Sequence, residues 1–123
     1  MPLEETKKSL YDLIGPVFIA NAVAEFYRRA FQDVMIGHFF FKSDIQHLTD
    51  QQIVFATALL GGPQNYRGKP LRSAHMVFPI RKAHFGRRQV LMEEVLKDLG
   101  LEETLARRWL DLEQQLKPLI LKN

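Results

Sequence analysis

Three polar side chains fall where helical spacing predicts burial: Tyr27, Gln52 and His75. Tyr27 lies within the apolar stripe Val17, Ala20, Val23, Ala24, Tyr27, Ala30, Phe31. Gln52 is centred in the stripe Leu48, Gln52, Phe55, Ala56, Leu59. His75 stands alone in a Gly/Pro-broken stretch, with Pro70 before it and Pro79 after it. An apolar wall, Phe39-Phe40-Phe41, accompanies them. An imidazole can ligate a metal through one ring nitrogen while the other is held by a hydrogen bond. A phenol and a carboxamide opposite it would supply hydrogen-bond donors to a small ligand. A dry, aromatic cavity with that equipment is what a haem needs. Taken singly, each residue also has an ordinary structural reading: a buried Tyr usually bonds a carbonyl, the Gln can reach the surface, and the His can be a satisfied structural residue.

The elements that must position these groups read as helices throughout. Thr6 or Ser9 can cap a short helix over Leu10–Ile14, which Gly15-Pro16 breaks. A second helix starts at Pro16 and runs to about Asp33. Gly37 marks a turn, and Asp44 or Ser43 can cap a third helix from Ile45 to Leu60, ended by Gly61-Gly62-Pro63. A fourth helix runs from Lys82–His84 to Asp98, with Val90, Leu91, Val95, Leu96 and Leu99 inward, and Gly100 stops it. A fifth covers roughly Glu102–Leu121, with Leu105, Trp109, Leu112, Leu116 and Leu119 or Ile120 inward, and Pro118 should bend or end it. No segment alternates with the two-residue period of a strand, so the class is all-α.

The stretch from Leu59 to Phe85 is the exception. It is long and rich in Gly and Pro, as functional or disordered segments are. It is also too apolar for disorder, holding Tyr66, Leu71, Met76, Val77, Phe78, Ile80 and Phe85. A bound ligand would supply the packing surface that it lacks.

Composition excludes several classes. The 123 residues fit one domain, 1–123, and 46% hydrophobic residues can fill a core. The absence of Cys rules out disulfides, thiolate metal sites and cysteine nucleophiles, and suits a reducing compartment. The N-terminal residues lack the apolar run of a signal peptide, and none elsewhere approaches a membrane span, so a cytoplasmic, soluble protein is expected, with no membrane and no nucleic acid among its partners. The net charge of +3 is mild, although Arg81, Lys82, Arg87 and Arg88 gather around Phe85. A cofactor-free helical interaction module using that basic face is the alternative reading.

In their order and spacing, Phe26-Tyr27, Phe39-Phe40, Gln52, Leu60-Gly61-Gly62-Pro63, Tyr66-x-Gly68, Leu71-Arg72-x-Ala74-His75 and His84-Phe85 resemble the truncated haemoglobins, the short two-over-two globins, and most resemble their group I. The likeness spans nearly the whole chain. It implies a two-over-two helical sandwich around haem b (iron protoporphyrin IX). It makes His75 the proximal iron ligand, and Tyr27 and Gln52 the distal pair that hydrogen-bonds dioxygen. Phe40 resembles the Phe that stacks on the porphyrin; Phe55, Leu71, Ile80 and Phe85 resemble haem contacts. Leu48 stands where larger globins keep a distal His. Arg72 and His84, with Lys69 and Arg81, suit the haem propionates by charge and position. Three departures stand out: Pro16 for a usual Gly, a His-x-x-Phe-Pro-Ile run more like group II, and Arg88 where groups II and III place a Trp. Gln51 occupies the place of a sixth-site His found in some group I relatives, so no bis-histidine iron is expected. The implied ligands are dioxygen, nitric oxide and carbon monoxide. The implied roles are dioxygen binding or transport, and nitric oxide dioxygenase or peroxidase-like activity served by an external electron donor.

Overall fold

The computed structural model describes residues 8–63 and 82–120. Helix α1 (Leu10–Ile14) opens on a capping box. Ser9 Oγ accepts from the Asp12 amide at 3.0 Å, and Asp12 Oδ2 accepts from the Ser9 amide at 3.3 Å. Gly15, at φ 95°, turns the chain directly into α2 (Pro16–Ala30), where the missing amide hydrogen of Pro16 costs nothing at the first position.

Helix α2 buries Ile19, Ala22, Val23, Phe26, Tyr27 and Ala30. The expected stripe therefore needs correcting: Val17 is 73% exposed and Ala24 is also on the outer side. The buried positions recur at three- and four-residue steps from Ile19, which rotates the inner face away from Val17 while keeping Tyr27 within it. The helix stops at Ala30 rather than Asp33, because Asp33 serves the next turn. Its Oδ2 accepts from the amides of Met35 (2.9 Å) and Ile36 (3.1 Å), and its carbonyl accepts from the Gly37 amide at 2.8 Å. A 3-10 turn over Gly37–Phe40 then buries Phe40, whereas Phe41 is 79% exposed and leaves the expected aromatic wall.

Asp44 caps α3 (Ile45–Leu59) by accepting from the His47 amide at 3.0 Å. Tyr11 donates its amide to the Leu60 carbonyl at 2.8 Å, tying α1 to the end of α3. After a 3-10 turn at Lys82–His84, α4 (Phe85–Asp98) buries Phe85, Arg88, Leu91, Met92, Val95 and Leu96. Val90 and Leu99, expected inward, are 43% and 40% exposed. Val90 lies off the face that Phe85, Arg88, Met92 and Val95 define, whereas Leu99 continues that face but is the C-cap, past the last turn of the helix. Helix α5 (Glu103–Gln114) carries the buried Trp109 and Glu113. The expected single last helix is interrupted. Pro118 has no amide hydrogen for the Gln114 carbonyl, so α5 ends there and a short α6 (Lys117–Ile120) follows.

Helix α2 packs across both α3 and α4, and α4 packs on α5. The result is an all-helical, two-over-two arrangement with Tyr27, Phe26, Phe55, Met92 and Trp109 in one core. Among the described residues, no helix is long and apolar enough to cross a membrane.

Candidate functional site

Tyr27 and Gln52 meet at the junction of α2, α3 and α4. Both are buried, at 2% and 5% exposure, and both line one small cavity of about 10 Å³. That is room for about one water-sized molecule. Val23, Phe55, Ala56, Leu59 and Met92 form its apolar walls. The Tyr27 ring is fixed edge-on by Phe26 at 4.8 Å and Phe40 at 5.8 Å, and Phe40 in turn stacks on Phe31 at 5.1 Å.

The Tyr27 hydroxyl is fully buried with the Arg88 guanidinium near it, but no hydrogen bond of good geometry closes on it among the described residues. Burial pushes its pKa well above the usual phenol range; Arg88 opposes that rise and Glu113 reinforces it. The phenol is therefore a proton-bearing donor at any ordinary pH. Buried donors without a protein partner call for a ligand or water.

A second such atom is Nδ1 of His84. The His84 ring packs edge-on against Phe39 at 5.2 Å and His38 at 6.0 Å, just before α4. Phe85 beside it is buried, as are Phe40 and Phe55. Leu48 is half-buried at the edge of the core and does not line the Tyr27–Gln52 cavity. His75, Leu71, Arg72 and Ile80, with Lys69 and Arg81, lie outside the described residues. Of Phe40, Phe55 and Phe85, only Phe55 lines the cavity with Tyr27, while Phe40 braces the Tyr27 ring from outside it. A buried phenol and imidazole nitrogen without partners among the described residues, with buried Phe rings nearby, are the chemistry that a flat apolar group with polar edges would use. Among the described residues, no three His, Asp or Glu side chains converge on a metal ion.

The cavity also holds a feature that the stripes above do not include. Arg88 and Glu113 line it as a buried ion pair, Nη1–Oε1 at 2.6 Å and Nη2–Oε2 at 3.2 Å. Trp109 Nε1 donates to Glu113 Oε2 at 2.9 Å. The periodicity carries the signal: Arg88 sits three residues after Phe85 and four before Met92, and Glu113 sits four after Trp109, so both share an apolar face. The basic face of the interaction-module reading thereby loses two members. Arg88 is interior, and Arg87 Nη2 is held by Asp33 Oδ1 at 2.5 Å.

A family model described as bacterial-like globin matches residues 9–121. The group 1 truncated hemoglobin of Tetrahymena pyriformis is 37% identical over 99 residues, covering 80% of this chain and 82% of that protein. The corresponding protein of Synechocystis, GlbN, is 31% identical over 102 residues, covering 79% of this chain and 82% of that one. Among solved structures, the Fe(III) form of the T. pyriformis truncated hemoglobin superposes with a TM-score of 0.79 at 30% identity, over 94% of this chain and 100% of that one. The 2/2 hemoglobin of Synechococcus, with covalently attached heme, shares the fold at a TM-score of 0.80 and 23% identity, over 94% of this chain and 100% of that one.

Proposed function

The chain belongs to the bacterial-like globin family, among its group I truncated haemoglobins, and is a haem protein; from that premise we propose that it binds dioxygen reversibly at a haem ligated by His75 and converts nitric oxide and dioxygen to nitrate. The observation that carries the proposal is the buried Tyr27 hydroxyl, without a protein partner among the described residues, beside Gln52 in one cavity.

A haem iron held by one imidazole supplies an open position for a diatomic ligand, and distal polarity decides between release and reaction. His75 would hold the iron. Phe40, Phe55, Leu48, Leu71, Ile80 and Phe85 would pack on the porphyrin faces and exclude water. Arg72 and the free Nδ1 of His84 would meet the propionates. Tyr27 keeps its proton and would donate a hydrogen bond through it to the negative end of the ligand, and the Gln52 carboxamide would offer a second N–H. A hydrogen bond to a charged group is worth about 1.5–3 kcal/mol. Such donors slow release, and slow release favours chemistry over carriage.

Nitric oxide and dioxygen yield nitrate when one electron is added; in a single turnover it would come from the ferrous haem, which ends ferric, and an external donor would restore it. Carbon monoxide would bind the same position. Mixing the oxygenated protein with nitric oxide tests the reaction. Nitrate in one-to-one yield is expected, with Tyr27→Phe losing dioxygen before it reacts. Reversible dioxygen binding with no nitrate would reduce the function to binding, storage or transport. A protein that takes up no haem would overturn the reading altogether.

A further inference from the structure

The Arg88–Glu113 pair is buried at both ends, with side chains 4% and 3% exposed. Burying two charges costs several kcal/mol each, and apolar residues of equal volume often serve stability as well or better. A packing role therefore accounts poorly for the pair. Its location is specific: it walls the same cavity as Tyr27 and Gln52. Its geometry is also rigid. Glu113 takes two guanidinium hydrogen bonds and one from Trp109 Nε1. Arg88 Nη1 also donates to Gln89 Oε1 at 2.7 Å. The guanidinium lies 4.7 Å over the Phe26 ring, the same ring that braces Tyr27. At the Tyr27 hydroxyl the influence of Arg88 outweighs that of Glu113.

We propose that Arg88 is a positioning residue for the Tyr27–Gln52 cavity: held by Gln89 and by Glu113, which Trp109 fixes in turn, its guanidinium keeps that wall electropositive, so the Tyr27 proton is directed at the ligand and the cavity favours ligands that gather negative charge. Dioxygen and small anions such as azide gain from such a wall, and carbon monoxide gains less. A fixed charge facing developing negative charge needs no reorganisation when the ligand arrives. This inference rests on the haem reading.

The test uses the haem-loaded chain and the double variant Arg88→Met/Glu113→Gln. It removes both charges, keeps side-chain volume, and leaves a Gln oxygen to accept from Trp109. The C–O stretch of the carbon monoxide complex should rise in frequency. Dioxygen release should quicken about fivefold, the worth of one ordinary hydrogen bond. Azide affinity of the ferric form should fall by a similar factor. In a Tyr27→Phe background the dioxygen effect should shrink, since part of it acts through the phenol. Should the double variant not fold, Glu113→Gln alone reads the opposite sign: with the counter-charge gone, the stretch falls and dioxygen release slows. A folded variant that binds carbon monoxide with an unshifted stretch and unchanged release would show the pair to be purely structural. Failure of the unmodified chain to bind haem would instead strike the proposed function.

Discussion

Replacing Tyr27 by Phe removes one oxygen atom from the interior and separates two effects that usually travel together. Among the described residues the hydroxyl has no hydrogen-bond partner of good geometry, and the ring is gripped by Phe26 and Phe40. Phe keeps those ring contacts. An unsatisfied buried hydroxyl carries a desolvation penalty of about 1–3 kcal/mol, so its removal should leave stability unchanged or raise it by up to ~1 kcal/mol. In the proposed complex the same hydroxyl would make a charge-assisted bond of about 1.5–3 kcal/mol, and its loss should speed dioxygen release roughly tenfold to a hundredfold. Denaturant unfolding of the deoxygenated form gives the first quantity and stopped-flow displacement gives the second. A variant destabilised by more than ~1 kcal/mol, with release unchanged, would show that the hydroxyl serves the fold and not the ligand.

Other consequences follow from the packing. Glu113→Leu strands the Arg88 guanidinium and the Trp109 N–H in the core, and should cost about 3–5 kcal/mol in denaturant unfolding. Gly37→Ala would set a Cβ 2.8 Å from the Phe31 carbonyl oxygen, forcing the turn that places Phe40 to shift; a loss of about 1–3 kcal/mol is expected by the same measurement. Arg28 and then Arg29 bond the Glu25 carboxylate and lower its pKa from 4.5 to about 2. Because the folded-state value is the depressed one, that stability is complete above 4.5 and is lost as pH falls towards 2. Glu25→Gln should flatten the acid-unfolding profile in that window when followed by circular dichroism.

Helical spacing made much of this legible. Tyr27 and Gln52 stand on faces that three- and four-residue steps define, and the structure brings both to one cavity. The caps at Ser9 and Asp44, and the breaks at Gly15-Pro16 and Gly61-Gly62, are short-range chemistry that the side chains announce. Spacing alone is ambiguous where several registers of a helix are apolar. Val17, Ala24 and Val90 each continue a stripe, yet only the neighbours on the other helices decide which register turns inward; Leu99 keeps the inward register and is exposed because the helix ends there. Arg88 and Glu113 were hidden for another reason. A charge on an apolar face reads as a snorkelling surface residue until its partner, 25 positions away on another helix, is known. Phe41 beside Phe40 shows the same limit: a 3-10 turn buries one ring and exposes the next.

We propose that this chain holds a haem on His75, with Tyr27 and Gln52 facing the ligand. Reconstitution with hemin, followed by absorption spectra of the reduced protein before and after carbon monoxide, tests it most directly. An intense Soret band, five-coordinate ferrous iron that binds carbon monoxide, and loss of tight haem retention in His75→Ala are expected. No Soret band after reconstitution, or a His75→Ala protein with full haem in the same coordination state, would contradict it.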